Sequence, residues 1–228
     1  REAASLVLTD GDFGALVDAL REGRRLFDNL RAATAYVFAV HLPIAGIALL
    51  PVVFDWPTVL LPIHVMLLEL VVDPVSSLVF DLEPAAGDLM QRPPRALGEP
   101  LFSRGVVRRC LLQGLVALGV VAGSYALALK RGATEDAARG LALVAIVAGN
   151  LLQVVANRGG GSFLRRLAAP NPALNAVLAA VAGLFALAFG WPSMARIFRI
   201  EWPGTVPLVA TLIACLCAAF ATSGPARA

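Results

Sequence analysis

Charge is scarce in this sequence. Asp, Glu, Lys and Arg supply 15% of its 228 residues, against about a quarter in an ordinary soluble domain. That shortage argues against a fully solvated exterior. Cysteine is scarce too: Cys110, Cys215 and Cys217 all fall inside apolar runs, and an odd number so placed excludes a disulfide framework. Cys215 and Cys217 could form a soft-metal pair, but small buried side chains are the simpler reading. The first residues do not read as a signal peptide, since they hold no apolar stretch followed by a cleavage site. The chain opens on Arg1 rather than Met, and the expectation is that an upstream part of a longer protein precedes it. Internal repeats are absent, which gives no support to an inverted-repeat transporter core.

What is abundant is apolar sequence: 58% of residues, with mean hydropathy +0.77, gathered into long runs with the charges between them. Crossing a hydrocarbon core of about 30 Å takes roughly 20 apolar residues. Six segments qualify, at about 30–54, 58–82, 106–129, 141–156, 174–189 and 206–221, the fourth and fifth being short and reaching adequate length with flanking residues. The expected fold is an all-α membrane protein, a six-span transmembrane helical bundle occupying 30–222. Before it, residues 1–29 read as a short cytosolic strand over 5–9, a turn at Asp10–Asp12 and an amphipathic stalk helix continuous with the first span; 223–228 form a tail. Trp191-Pro192 and Trp202-Pro203 suit an aromatic interface belt.

The net charge of +3 could point to nucleic acid, but the distribution of basic residues has a topological explanation. Fourteen of the nineteen lie in 1–31, 83–109, 157–166 and 223–228; the others are Lys130, Arg131, Arg139, Arg196 and Arg199. With an even number of spans the four richer segments share one side, which the positive-inside rule assigns to the cytoplasm. Both termini are therefore expected to be cytoplasmic, with the lipid bilayer as a partner and no nucleic acid.

The second span reads Pro62-Ile-His64-Val-Met-Leu-Leu-Glu69-Leu-Val-Val-Asp73-Pro74. Glu69 and Asp73 stand at i and i+4, on one helix face, where like charges repel. An ionised carboxylate in the hydrocarbon costs several kcal/mol by itself, so two buried acids make sense if a cation or protons compensate them. Pro74 donates no backbone hydrogen bond, which frees a carbonyl one turn earlier; carboxylates with a free carbonyl suit a hard cation. The structural alternative is that both acids are protonated or paired with polar groups on other spans. In the first span Pro43 should kink or open the helix, and His41 could be a ligand, a proton acceptor or a packing residue. His64 is expected at the interface. In the fourth span Asn150, Gln153 and Asn157 share a face; Asn150 and Gln153 could be neutral ligands or interhelical hydrogen-bonding groups.

Ala3-Ala-Ser-Leu-Val-Leu-Thr-Asp-Gly-Asp-Phe13, Glu22-Gly-Arg-Arg25 and Asn29 resemble the end of the phosphorylation domain and the stalk helix of P-type ATPases. Leu70-Val-Val-Asp73-Pro, then Glu83-Pro84, Asp88-Leu-Met90 and Arg92-Pro-Pro-Arg95, resemble the ion-binding span and loop that follow. The likeness covers the chain, is most specific over 3–100, and is closest to bacterial calcium-pump-like cation ATPases. It implies that the spans are the last six of ten, and that the catalytic domains and first four spans lie outside this sequence.

The resemblance also implies a ligand set. Asp73 takes the position of the family's central aspartate, and Glu69 a ligand position usually held by asparagine. Val72 replaces a threonine, Ile44 a glutamate, His41 an asparagine and Val147 a glutamate. One cation site rather than two is implied, centred on Glu69 and Asp73 with His41 beside them, and calcium, manganese and magnesium are all admissible. The phosphorylated DKTGT sequence and the TGES loop do not occur, so the chain alone should not hydrolyse ATP; Mg and ATP would act through domains outside it. The implied function is translocation of a metal cation by the carboxy-terminal transport domain of an ATP-driven pump in a bacterial plasma membrane. The competing readings are a self-contained channel or secondary transporter, and a membrane remnant that scaffolds a partner.

Overall fold

In lipid a backbone must satisfy its own hydrogen bonds, which favours helices, and in the computed structural model every element among the described residues is helical. Residues 12–94, 103–159 and 161–224 are described, without the side chains at 71–73, 75 and 76. The predicted strand over 5–9, the loop at 95–102 and the end of the tail lie outside the described residues.

Helix α1 (Phe13–Phe54) is 42 residues long, roughly 63 Å at 1.5 Å per residue, about twice the hydrocarbon thickness. Asp12 caps it, accepting the Gly14 N–H at 2.7 Å. The helix is not interrupted at Pro43 or Pro51. It stops at Asp55, which adopts the left-handed conformation (φ 53°) that Asp tolerates better than most residues.

The segment expected to be the second span is not a single α-helix. It consists of α2 (Pro62–Leu67), a π-helical turn (Leu68–Val72) and α3 (Asp73–Asp81). Pro62 starts α2, where a missing N–H costs nothing. Pro74 lies just past the π turn. Its ring and missing N–H disfavour the ordinary ladder to the preceding turn, and the wider π register accommodates this.

Four longer helices and two short ones follow: α4 (Arg104–Lys130), α5 (Glu135–Asn157), α6 (Phe163–Ala168), α7 (Pro172–Gly190), α8 (Pro192–Phe198) and α9 (Thr205–Thr222). Ser103, Thr134 and Asn171 cap α4, α5 and α7 through their side chains. Among the described residues five helices (α1, α4, α5, α7 and α9) are long and apolar enough to cross a membrane. The sixth expected span is the segment divided by the π turn.

Helix α5 is the centre of the bundle. Its apolar window is 78% buried, against 17–33% for the other four. Small residues Ala138, Ala142 and Ala145 let neighbours approach it, and α1, α4 and α9 pack around it. The α1–α4 contact is equally close: a Cβ on Gly114 would lie 2.7 Å from the Leu42 Cβ and 2.9 Å from the Ala39 carbonyl oxygen. That carbonyl is the one from which Pro43 withdraws the usual ladder donor. Outward, Val52 and Val53 of α1, Leu111, Leu112 and Leu115 of α4, and Ile213 and Phe220 of α9 are exposed. An apolar exterior on helices of this length is that of an integral membrane protein.

Candidate cation site and the polar network at one end of the bundle

Glu69 lies within the π turn and His41 on α1, and the fold sets them face to face: His41 Nε2 is 3.5 Å from Glu69 Oε2. The other imidazole nitrogen, Nδ1, is 2.8 Å from the Val37 carbonyl oxygen. A carbonyl only accepts, so Nδ1 carries the proton. Nε2 is thereby left to present a lone pair toward Glu69 when the ring is neutral, and a second N–H when it is charged. This is the second-sphere arrangement that orients a ligating histidine. The Asp73 backbone opens α3 one turn after Glu69; its side chain lies outside the described residues.

The pair is not enclosed as the sequence suggests. The side chains of His41 and Glu69 are 46% and 41% exposed, on the flank of the bundle rather than against α5. Among the described residues no group of three His, Cys, Asp or Glu side chains is placed to hold a metal.

Asn150 and Gln153 are both buried on α5. Gln153 lines a cavity of about 20 Å³ between α4, α5 and α9, together with Gln113, Cys215 and Thr222. That volume suits one water-sized occupant. Asn157 donates to Gln113 Oε1 at 3.2 Å and to the Gln153 carbonyl at 2.9 Å. Both side-chain polar atoms of Gln153, and Nε2 of Gln113, have no hydrogen-bond partner among the described residues. Gln113 was not singled out from sequence, although a lone amide within an apolar run of α4 is a legible signal.

Glu83 stands just past the end of α3, where a solvated charge would need no explanation. It is instead a buried hub. Its Oε2 accepts from Arg158 Nε at 2.9 Å and from Asn171 Nδ2 at 3.1 Å. Its backbone carbonyl accepts from Arg25 and Asn29 of α1, each at 3.1 Å. Further along the loop, Arg24 donates to the carbonyls of Leu89 and Arg92 at 3.0 and 2.9 Å, and Arg92 pairs with Asp28 at 2.9 Å and Asp88 at 2.7 Å. The Arg92 hydrogen bond holds the Asp88 carboxyl below its ordinary range, and the same bond raises Arg92. The charged part of α1 is thus tied to the loop after α3 by side-chain-to-backbone bonds, which carry no periodicity for sequence reading to detect.

The fold also places His64, the two cysteines of α9 and Arg139. His64 is fully buried: it accepts the Leu61 N–H at 3.2 Å, lies 2.7 Å from the Phe198 carbonyl and stacks on the Phe198 ring. Cys215 is buried and Cys217 exposed, as i and i+2 positions on a helix do not face one another, so they form no metal pair. Arg139, counted as a loop charge, is buried; it pairs with Asp136 and donates to the carbonyls of Thr58 and Arg199.

The apolar exterior and the length of the helices define a polytopic helical membrane protein. Within that class, residues 57–223 match the model of the family described as the carboxy terminus of cation-transporting ATPases. The chain belongs to that family, the carboxy-terminal part of P-type cation ATPases. It is 32% identical over 126 residues to a calcium-transporting ATPase of Listeria monocytogenes, covering 55% of this chain and 14% of that protein. To calcium-transporting ATPase 1 of Lactococcus lactis it is 25% identical over 168 residues, 73% of this chain and 19% of that one. A calcium-transporting ATPase of Bacillus subtilis is 31% identical over 122 residues, 52% of this chain and 14% of that protein. The chain therefore matches less than a fifth of the length of these relatives.

Proposed function

We propose that this chain is the transport domain of an ATP-driven cation pump, and that Glu69, Asp73 and His41 hold one divalent cation in transit. The observation that carries this reading is the His41–Glu69 pair at 3.5 Å beside a π turn. A helix break, a carboxylate and an oriented imidazole nitrogen are together a set of donors for a dehydrated cation. Names of relatives favour calcium; the imidazole suits a transition metal such as manganese better than calcium or magnesium. Asn150 and Gln153 are proposed as neutral donors of lesser weight.

The half-open flank fits the same reading. A carboxylate facing lipid is costly, so a further helix of the same pump would complete the wall beside His41 and Glu69. In this arrangement 58–82 crosses the membrane as a sixth span, residues 12–29 are a cytosolic stalk, and both ends of the chain face the cytoplasm. Phosphorylation, with its ATP and Mg, belongs to parts of the protein outside this chain. Force would reach the site along α1, whose charged part grips the 83–92 loop and whose apolar part carries His41.

The test is cation-dependent ATPase activity of the full-length protein carrying Glu69→Gln or Asp73→Asn, over a panel of divalent cations. The expectation is a rise of at least about tenfold in the half-activating cation concentration, the loss of one charged ligand being worth ~1.4 kcal/mol or more. Unchanged activation in both variants would sink the assignment.

A further inference from the structure

The largest cavity described is not the cation site. It has a volume of about 790 Å³ and opens between α1, the loop after α3, α4 and the α5–α6 connection. All its basic lining residues are arginines, and so are all but one (Lys130) of the nineteen basic residues in the chain. Three of the lining arginines are neutralised: Arg25 by Glu22, Arg92 by Asp28 and Asp88, and Arg158 by Glu83. Four others, Arg31, Arg109, Arg165 and Arg166, have no carboxylate partner among the described residues.

Two of these four are set deep. Arg166 is 5% exposed. It donates through one terminal nitrogen to the Ala156 carbonyl, while its Nε, like that of Arg31, has no hydrogen-bond partner among the described residues. Burial, and then the charge of Arg109, push the Arg166 pKa down. A guanidinium does not relieve this by losing its proton. A buried charge of this kind is normally compensated, and the chain supplies a polar room around it instead of a carboxylate. The planar fork of arginine matches phosphate oxygens two at a time. Basic pockets between membrane helices are also where lipid headgroups bind.

We propose that this cavity binds a phosphate-bearing anion, with Arg166 and the inner part of Arg31 set deepest and Arg109 and Arg165 beside them. The phosphate comes either from the headgroup of an anionic phospholipid or from free phosphate. Bound there, the anion cancels positive charge that would otherwise repel cations approaching from this end of the bundle. It also bridges α1, α4 and α6, which meet at the cavity, so occupancy stiffens the gripped end of α1.

The test uses the full-length protein purified in a neutral detergent. Its thermal midpoint is followed during titration with phosphatidic acid in mixed micelles, with inorganic phosphate, and with phosphatidylcholine as a control whose choline offsets the phosphate. Wild type should show a saturable rise with phosphatidic acid or inorganic phosphate and none with phosphatidylcholine. In the double variant Arg109→Gln/Arg165→Gln, which removes charge without removing a side-chain hydrogen bond among the described residues, half-saturation should move up by at least about tenfold. Arg166→Gln, if it folds, should do the same. A rise with inorganic phosphate identifies free phosphate as sufficient, and a rise confined to phosphatidic acid identifies the headgroup; both uphold the site. No saturable rise with either, or unchanged half-saturation in the double variant, overturns it. None of these readouts depends on Glu69 or Asp73, so the site stands or falls independently of the cation assignment.

Discussion

The enclosed carboxylate of Glu83 accepts from both Arg158 and Asn171. Breaking one partner of such a pair leaves the other charge buried and uncompensated, which costs more than the pair contributed. Glu83→Gln should therefore destabilise the protein by roughly 3 kcal/mol, read as a fall in thermal or denaturant midpoint. Arg158→Gln should cost a similar amount, and the double variant less than the sum. Gln153 poses the opposite case. Its two polar atoms lie buried without partners, so Gln153→Leu should leave the midpoint unchanged or raise it by up to about 1 kcal/mol. If Gln153 is also a cation donor, the same substitution will weaken cation activation while stability holds, and measuring both separates the two roles.

At the scale of the element, the π turn decides how Glu69 is presented. An ordinary helix would run through 62–81 with one ladder; Pro74 disfavours that ladder and the backbone takes one wider turn. Pro74→Ala restores a donor and removes the ring, so the segment should relax toward a regular helix and gain local stability. Half-activating cation concentration in the full-length pump should then rise, because Glu69 moves relative to His41. Unaltered cation activation alongside a raised thermal midpoint would show the π turn to be incidental to transport. Helix α1 gives the complementary case. Its prolines do not interrupt it, and it is held along its length, by the 83–92 loop at one end and by α4 and α5 further on.

For the whole molecule, the division of its ends between two sides of a membrane is the consequence that can be measured most directly. The Lys130–Gly132 turn and the Trp191–Glu201 segment, with exposed Trp191 and Trp202, should lie opposite Gly23 and Ser223. On a background with Cys110, Cys215 and Cys217 replaced, single cysteines at Gly23, Gly132, Gly159 and Ser223 should divide two ways. An impermeant thiol reagent applied to intact cells should label Gly132→Cys alone, and the other three only after permeabilisation. Labelling of Gly159→Cys and Ser223→Cys, with Gly132→Cys protected, would mean an odd number of crossings and would remove 58–82 from the set of spans.

Hydrophobic length and the grouping of charge were enough to expect an all-helical membrane protein, because in lipid a chain has few other ways to satisfy its backbone. Five of the expected runs appear as long apolar helices. The quartet Pro62, Glu69, Asp73 and Pro74 was also visible as an anomaly in an apolar run. The packing was not visible. That α5 is the centre, that Glu69 faces His41 on an open flank, that Arg139 is buried and that Glu83 joins three segments are all settled by contacts between residues tens of positions apart. Such contacts leave no period or spacing in a single chain. They arise where a proline slips a ladder by one residue, where Gly114 has no side chain to hold α4 away from α1, and where a buried charge must find the donors that tertiary structure brings to it.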